Sequence, residues 1–157
     1  IITLASSFSK LWEKVWNPSG PVKFALGLIF VAVGFFALSY GSLSIPQGAK
    51  TATVSMIWLI LAYFFHTLGE LCLSPVGLSY VSKLSPKKFV GLLFGFWFTA
   101  SAIANYIAGY TGAYIDKISA MYSLSTFFII IAALPLSAAL MLLLFNKKLV
   151  KMMHGIK

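Results

Sequence analysis

A single acidic residue, Glu70, lies near the middle of a long apolar stretch of this sequence. An acid at the middle of a bilayer costs about 2.5 to 3.5 kcal/mol on insertion scales, so it normally faces a protein interior or a water-filled cavity. A carboxylate in such a place could bind a cation, either a proton or the amino group of a substrate. Alternatively, it could only hydrogen-bond a neighbouring helix and stabilise the bundle.

Polar and small residues recur around this acid at helical spacing. Residues three and four apart share one face of a helix. The resulting stripe along an otherwise apolar helix consists of Tyr63, His66, Thr67, Glu70, Ser74 and Gly77. Such a stripe could line a cavity or could make ordinary hydrogen bonds between helices. Its position around Glu70 favours the cavity.

Pro75 interrupts the same predicted helix. Proline has no N–H to donate, so the carbonyl of Leu71 loses its helical partner and a bend is expected. Gly77 weakens the same turn. Membrane proteins use such interruptions as hinges or ligand contacts, and also as static kinks, and the sequence does not separate these alternatives. Pro135 has no polar neighbours, and we interpret it as structural.

A second stripe follows in the next apolar stretch. It consists of Phe94, Trp97, Ser101, Asn105 and Ala108 at helical spacing. Trp97 is about nine residues inside the predicted helix start at Phe89, too deep for an interfacial aromatic belt and close to the expected depth of Glu70. The glycines of this stretch are interpreted as packing residues.

Composition indicates a membrane protein. Of 157 residues, 60% are hydrophobic and 10% are charged, whereas soluble domains carry about 25% charged residues. The net charge of +9 would suggest nucleic-acid binding in a soluble protein, but these lysines lie beside apolar runs. We therefore expect a lipid bilayer as partner and no nucleic acid. Because no ligand cluster or nucleophile with a partnered base is apparent, we predict no metal, no cofactor and no catalytic residue.

Four stretches have the roughly 20 apolar residues that a transmembrane helix needs. The predicted all-α fold is one membrane unit, residues 1–157, with helices at 22–40, 54–82, 89–113 and 121–145. Residues 1–16 are too short to span, so we expect the remnant of a fifth helix that starts upstream. Residues 146–157 are predicted to be a tail.

The lysines alternate along the chain. Three flank the first connection, three the third connection and four lie in the tail, whereas the other connections hold only Lys50 and Lys117. Positive charge is enriched in cytoplasmic loops. We therefore predict a multi-pass protein of the cell inner membrane with a cytoplasmic C-terminus.

Longer motifs carry a specific resemblance. The eleven-residue run from Gly69 to Ser79, the segment Gly95-Phe96-Trp97-Phe98 and the entry Pro18-Ser19-Gly20-Pro21 resemble the tenth, eleventh and ninth helices of the proton-dependent oligopeptide transporter family. This family belongs to the major facilitator superfamily. The resemblance covers nearly the whole chain and only the end of the C-terminal six-helix half.

The resemblance implies a symporter that uses protons as the coupling ion to import dipeptides and tripeptides by alternating access. It implies that Glu70 holds the peptide amino terminus and that Trp97 lines the pocket. Ser101, Ser74 and Asn105 are further candidates for substrate binding. Pro75, Gly77, Phe98 and Leu73 are candidates for a hinge or gate.

The remaining helices of such a transporter are absent from this sequence, so we expect a fragment that needs the N-terminal helices as partner. The alternative is a small four-helix membrane scaffold or assembly subunit without transport activity. An intramembrane hydrolase is a remote third reading, because Ser74 lies one turn from Glu70 but Pro75 follows it and no oxyanion-hole glycine pattern is present.

Overall fold

The computed structural model describes residues 2–15, 17–46 and 53–153, and all regular structure within these ranges is helical. Two short 3₁₀ turns, Ser42–Ser44 and Lys87–Phe89, and a π-helical turn, Leu11–Val15, accompany the α-helices. The α-helices are α1 (Ile2–Lys10), α2 (Gly20–Gly41), α3 (Ile57–Leu84), α4 (Val90–Ala113), α5 (Ile115–Met121) and α6 (Leu124–Met152).

Four of these helices are long and apolar enough to cross a membrane, namely α2, α3, α4 and α6. The predicted all-α fold with four spans is therefore confirmed. Helix bounds differ from the expected ones mainly at the end of the chain. Residues 115–121 form the separate short helix α5, and α6 continues for seven residues, 146–152, into the predicted tail. Lysine side chains can extend a helix past the apolar core because their stems are apolar and their ends are charged.

Helix α2 packs along both α3 and α6 and forms the centre of the described bundle. Its contact with α3 follows glycines at every seventh position, Gly20, Gly27, Gly34 and Gly41. At each glycine a Cβ would collide with α3, on Tyr80, Leu73, His66 and Trp58 in turn. A seven-residue repeat keeps one seam facing the partner helix. Missing side chains along that seam allow the two backbones to approach closely.

The closest backbone approach is at Gly27. A Cβ there would lie 2.9 Å from the carbonyl oxygen of Gly69 and 2.7 Å from Cγ of Leu73. Gly69 has the reciprocal relation, since its own Cβ would lie 2.8 Å from the carbonyl oxygen of Gly27. This glycine pair brings α3 onto α2 directly beside Glu70.

Helices α2 and α6 are joined by small and polar residues. Ala32, Ala132 and Ala139 are almost fully buried. The Ser39 and Ser125 hydroxyl groups lie 2.8 Å apart, and the Ser39 hydroxyl also donates to the Ser125 carbonyl. Buried hydroxyls on packed transmembrane helices usually form such interhelical hydrogen bonds.

At the opposite end of α2, near Gly20, the segment before the helix is tied to α6. The Ser19 hydroxyl donates to Oδ1 of Asn146 over 2.8 Å. This end also carries Lys23, Lys83 and the last turns of α6, and we call it the lysine-rich end.

Helix α4 has a different environment from the other spans. Apart from the neighbouring turns and α5, its contacts in the described part of the chain are with α3, and they are few. No residue of α4 is buried. A span without buried residues has faces available for lipid or for other helices.

Candidate functional site

Glu70 lies on α3, and its side chain is exposed. Its neighbours Gly69 and Leu71 are both buried. The contact of Gly69 with α2 therefore turns the Glu70 side chain away from the α2 interface. A carboxylate presented from the interior of an apolar span can interact strongly with a cation wherever water is scarce.

The predicted polar stripe on α3 is divided between different surroundings. Gly77 is buried, and the His66 ring packs into the α2 interface at Gly34 and lies 4.7 Å from the Phe35 ring. Tyr63 and Glu70 are exposed, and Thr67 and Ser74 are partly exposed. Only the exposed part of this stripe can face a cavity.

His66 is a structural residue of the interface. One imidazole nitrogen forms a hydrogen bond to the backbone of Val31. The other, Nε2, is buried, has no hydrogen-bond partner among the described residues and would lie 2.6 Å from a Cβ on Gly34. Because the ring is held between α2 residues, it does not share the open face of Glu70.

Trp97 packs on Gly77, where a Cβ would overlap the indole ring. Gly77 is seven residues beyond Glu70 along α3, which corresponds to about 10 Å of helix rise. The sequence predicted that Trp97 lies close to the depth of Glu70. Its contact with α3 is instead nearer the lysine-rich end, at Gly77.

Ser101 and Asn105 follow Trp97 on α4 and are exposed. The Ser101 hydroxyl donates to the Trp97 carbonyl over 3.1 Å, and the Asn105 amide donates to the Ser101 carbonyl over 3.0 Å. Each of these bonds joins a side-chain donor to a carbonyl oxygen of the same helix. Their oxygen atoms are acceptors that can still bind a substrate N–H.

The candidate hinge and gate residues lie in different packing environments. Helix α3 continues through Pro75, whose ring is exposed. Leu73 packs toward Gly27 of α2, whereas Phe98 on α4 is 61% exposed. Of these residues, Gly77 is the one that joins α3 to α4, through Trp97.

A cavity of about 470 Å³ lies between α3, α4 and the start of α2. Its lining residues include Phe24, Gly77, Tyr80, Leu93, Phe96 and Trp97. Glu70 lies outside this lining. The described residues contain no group of three or more His, Cys, Asp or Glu side chains that could hold a metal ion.

Comparison with known proteins identifies the family. The profile described as the POT family matches residues 1–127 of this chain. The chain belongs to the POT family. A peptide transporter of Yersinia enterocolitica is 37% identical over 149 residues, which cover 92% of this chain and 29% of that protein. Dipeptide and tripeptide permease A of Escherichia coli is 35% identical over 111 residues, covering 65% of this chain and 21% of the permease.

Solved structures of POT transporters have the same arrangement of helices. A POT family transporter in complex with 5-aminolevulinic acid matches with a TM-score of 0.80 and 29% identity. A peptide transporter POT in complex with sulfate matches with a TM-score of 0.76 and 36% identity. Each match covers 94% of this chain and 29% of the solved chain. Members of the family are transporters and not enzymes.

The glycines through which α2 packs on α3 were not predicted from the sequence. The spacing of Gly20, Gly27, Gly34 and Gly41 was visible in the sequence. Its seven-residue period indicates the face of α2 that packs closely on a neighbouring helix. The sequence also favoured His66 as a hydrogen-bonded residue between helices over a catalyst or a metal ligand.

Proposed function

We propose that this chain is part of the C-terminal half of a symporter that imports dipeptides and tripeptides by alternating access, with protons as the coupling ion. The observation that carries the proposal is the exposed Glu70 carboxylate in the interior of an apolar span. Two relatives, a peptide transporter and a dipeptide and tripeptide permease, support the proposed substrate class.

In this proposal the peptide lies between α3 and α4. Glu70 pairs with the peptide ammonium group, and Trp97 forms the wall toward the lysine-rich end. Ser74, Ser101 and Asn105 hydrogen-bond the peptide backbone. A charge-assisted hydrogen bond contributes about 1.5 to 3 kcal/mol, more than a bond between neutral groups. Glu70 would therefore account for much of the preference for a free amino terminus.

Alternating access requires a second helical bundle that rocks against this one around a midplane site. The exposed length of α4 and the open face of α3 offer the surface for it. Pro75 and Gly77 would allow α3 to bend, and Phe98 and Leu73 would contribute to the gate. The lysine-rich end lies in the cytoplasm of a cell whose inner membrane holds the protein, following the distribution of positive charge.

The test is Glu70→Gln in the full transporter that contains this segment. Loss of the charge should weaken peptide binding roughly ten- to hundredfold. Membrane insertion should persist, because removal of a charge from the bilayer interior lowers the cost of insertion. Binding is measured by competition against a labelled dipeptide.

Two controls accompany this variant. Asp116→Asn removes the same charge from the start of the short helix α5 and should leave peptide binding unchanged. Peptides with an acetylated amino terminus should compete poorly against the wild type and lose that disadvantage in Glu70→Gln. If Glu70→Gln binds free-amino peptides as before and fails only in assembly, Glu70 is a packing residue.

Proton coupling is tested separately by peptide uptake into liposomes. An imposed inward proton gradient should drive accumulation, and a protonophore should abolish it. Equal accumulation with and without the gradient contradicts proton symport while leaving the peptide site open to the binding test.

A further inference from the structure

We propose that the close packing of α2 on α3 is proton-sensitive at His66. The neutral imidazole packs in the glycine seam at Gly34, and protonation drives the ring out and loosens the seam. This device does not depend on the transported substrate and is separate from the pairing of Glu70 with a peptide. Acidification would therefore release α3, the helix that carries Glu70, from its close contact with α2.

The His66 ring occupies the space where Gly34 has no side chain. A Cβ on Gly34 would lie 2.5 Å from Cδ2 and 2.6 Å from Nε2 of the ring, and 3.1 Å from the carbonyl oxygen of Ala62. The ring of Phe35, the next residue of α2, has its centre 4.7 Å from the imidazole centre. The imidazole is therefore part of the close contact between the two helices.

The Nε2 atom of His66 determines which protonation state the closed seam accommodates. This atom is buried and has no hydrogen-bond partner among the described residues. The other ring nitrogen is hydrogen-bonded to the backbone of Val31. A neutral imidazole can leave only a lone pair at Nε2, whereas an imidazolium must have an N–H there. Protonation would thus bury a charged donor without an acceptor, which is far more unfavourable than burying a lone pair.

The helices packed around the seam supply no counter-charge. The titratable residues of α2 are Lys23 and Tyr40, close to its two ends. Those of α4 are Tyr106 and Tyr110, and α6 has none before Lys147. None of these groups is anionic at neutral pH. An imidazolium in the closed seam would therefore have no negative partner on α2, α4 or α6.

The nearest titratable groups on α3 itself are Tyr63, three residues before His66, and Glu70, four residues after it. Both side chains are exposed, whereas Nε2 is buried against α2. Attraction between charges four residues apart on a helix surface is small, so Glu70 does not offset the burial of an imidazolium. A ring that has left the seam is free of this burial cost. The open form therefore binds the proton more tightly than the closed form, which is the condition for a switch.

Cys72 is a native probe of the same seam. It is 1% exposed, and its Cβ would lie 3.0 Å from a Cβ on Gly27. A thiol reagent should therefore reach it faster when the seam loosens. The experiment uses the full transporter in detergent, without peptide and with Cys72 as its only cysteine. The labelling rate is measured at about pH 8 and about pH 5, on either side of the ordinary histidine pKa. Each rate is divided by that of the unfolded protein at the same pH, which removes the intrinsic pH dependence of the thiol.

The normalised labelling rate should rise as the pH falls. A histidine outside the seam titrates near its ordinary pKa of about 6.5, so opening should become up to about thirtyfold more favourable at pH 5 than at pH 8. We expect a roughly ten- to thirtyfold faster rate for the wild type. His66→Asn, which keeps a side-chain N–H, and His66→Phe, which keeps an apolar ring, do not titrate and should show no such rise. His154→Gln removes the other histidine of this chain and should behave as the wild type does.

Gly34→Ala places a Cβ where the ring lies, so this variant should already label quickly at about pH 8 and lose most of the pH dependence. Labelling of folded Gly34→Ala at the wild-type rate would contradict the assigned contact. An equal wild-type rate at both pH values would overturn the proposal. A rise that persists in either folded His66 variant would do the same, because another group would then be titrating. Since no peptide is present, the result is independent of the binding test on Glu70→Gln.

Discussion

At the scale of single residues, the candidate site depends on two positions where glycine has no side chain. Gly69 lets α3 approach α2, and Glu70 is thereby directed away from that interface. Gly77 accommodates Trp97 in the space where a side chain would lie. The acid and the indole are thus held in place by two glycines that perform no chemistry themselves.

Gly77→Ala should displace Trp97 and disturb the only wall of the proposed peptide site that joins α3 to α4 in the described structure. Overpacking typically costs about 1 to 3 kcal/mol. We expect a lower thermal midpoint and weaker peptide binding in the full transporter. Gly95→Ala is the matched control, because a Cβ there meets none of the described residues within 4 Å. Equal behaviour of the two variants would show that the Trp97 contact is unimportant.

The sequence singled out candidate residues for the site, but it did not contain their surroundings. An acid within an apolar run can be recognised from composition alone, and so can a polar stripe at helical spacing. Whether His66 faces a cavity or a neighbouring helix depends on where α2 packs, which the α3 sequence does not contain. The depth of Trp97 was misjudged because counting from a helix start ignores how far two helices are shifted along each other.

At the scale of helices, α2 carries two interfaces of different chemistry. The face toward α3 is a seam of glycines, and the face toward α6 combines alanines with the Ser39–Ser125 hydrogen bonds. The length of the apolar run predicted a span at 22–40, close to the observed Gly20–Gly41. The short helix α5 was not predicted, because seven residues give too little periodicity to distinguish a helix from a loop.

Gly27→Ala should destabilise the bundle even though alanine is the better helix former. Alanine is intrinsically favoured over glycine in a helix by about 1 kcal/mol. At Gly27, however, the new Cβ would lie 2.9 Å from the Gly69 carbonyl oxygen, and backbone atoms cannot move aside easily. Thermal unfolding of the full transporter in detergent should show a lower midpoint.

The matched control for the α2 seam is Gly109→Ala in α4, where a Cβ has no neighbour within 4 Å in the part of the chain that the structure describes. This variant should unfold at the wild-type temperature or above it, because the substitution raises the intrinsic helix propensity and creates no collision. A rise in the midpoint for both variants would show that the seam tolerates side chains and that α2 and α3 are not held by close approach.

At the scale of the whole molecule, the described helices form an asymmetric assembly. Two spans, α3 and α6, pack on α2, and α4 is attached mainly through its contact with α3. The side chains of Ser101 and Asn105 on this exposed span donate to carbonyl groups of their own helix. This chain spans 29% of the length of its Yersinia relative.

The lysine-rich end should be inaccessible from outside the cell. Cys72, which is buried, is first replaced by Ala. Met152→Cys and Leu43→Cys then place thiols of matched exposure, 65% and 66%, at opposite ends of the bundle. A membrane-impermeant thiol reagent added to intact cells should label Leu43→Cys and spare Met152→Cys. Labelling in the reverse order would contradict the orientation.

The isolated 157-residue chain should not accumulate peptide in liposomes. Alternating access needs two bundles that move against each other, and this chain supplies part of one. Uptake is measured with a labelled dipeptide under an imposed proton gradient, with the full transporter as the positive control. Gradient-driven accumulation by the isolated chain would contradict the proposed mechanism.

The Ser39–Ser125 contact also has a consequence for biosynthesis. The two residues are 86 positions apart, so at roughly 5 to 20 residues per second the ribosome makes Ser125 about 4 to 17 s after Ser39. Helix α3 is made first and can close the glycine seam immediately. During this interval, the alanine and serine face of α2 lies in the membrane and has no α6 to pack against. If synthesis stops after α4 and before α6, that face of α2 therefore stays uncovered and accessible to membrane chaperones and proteases.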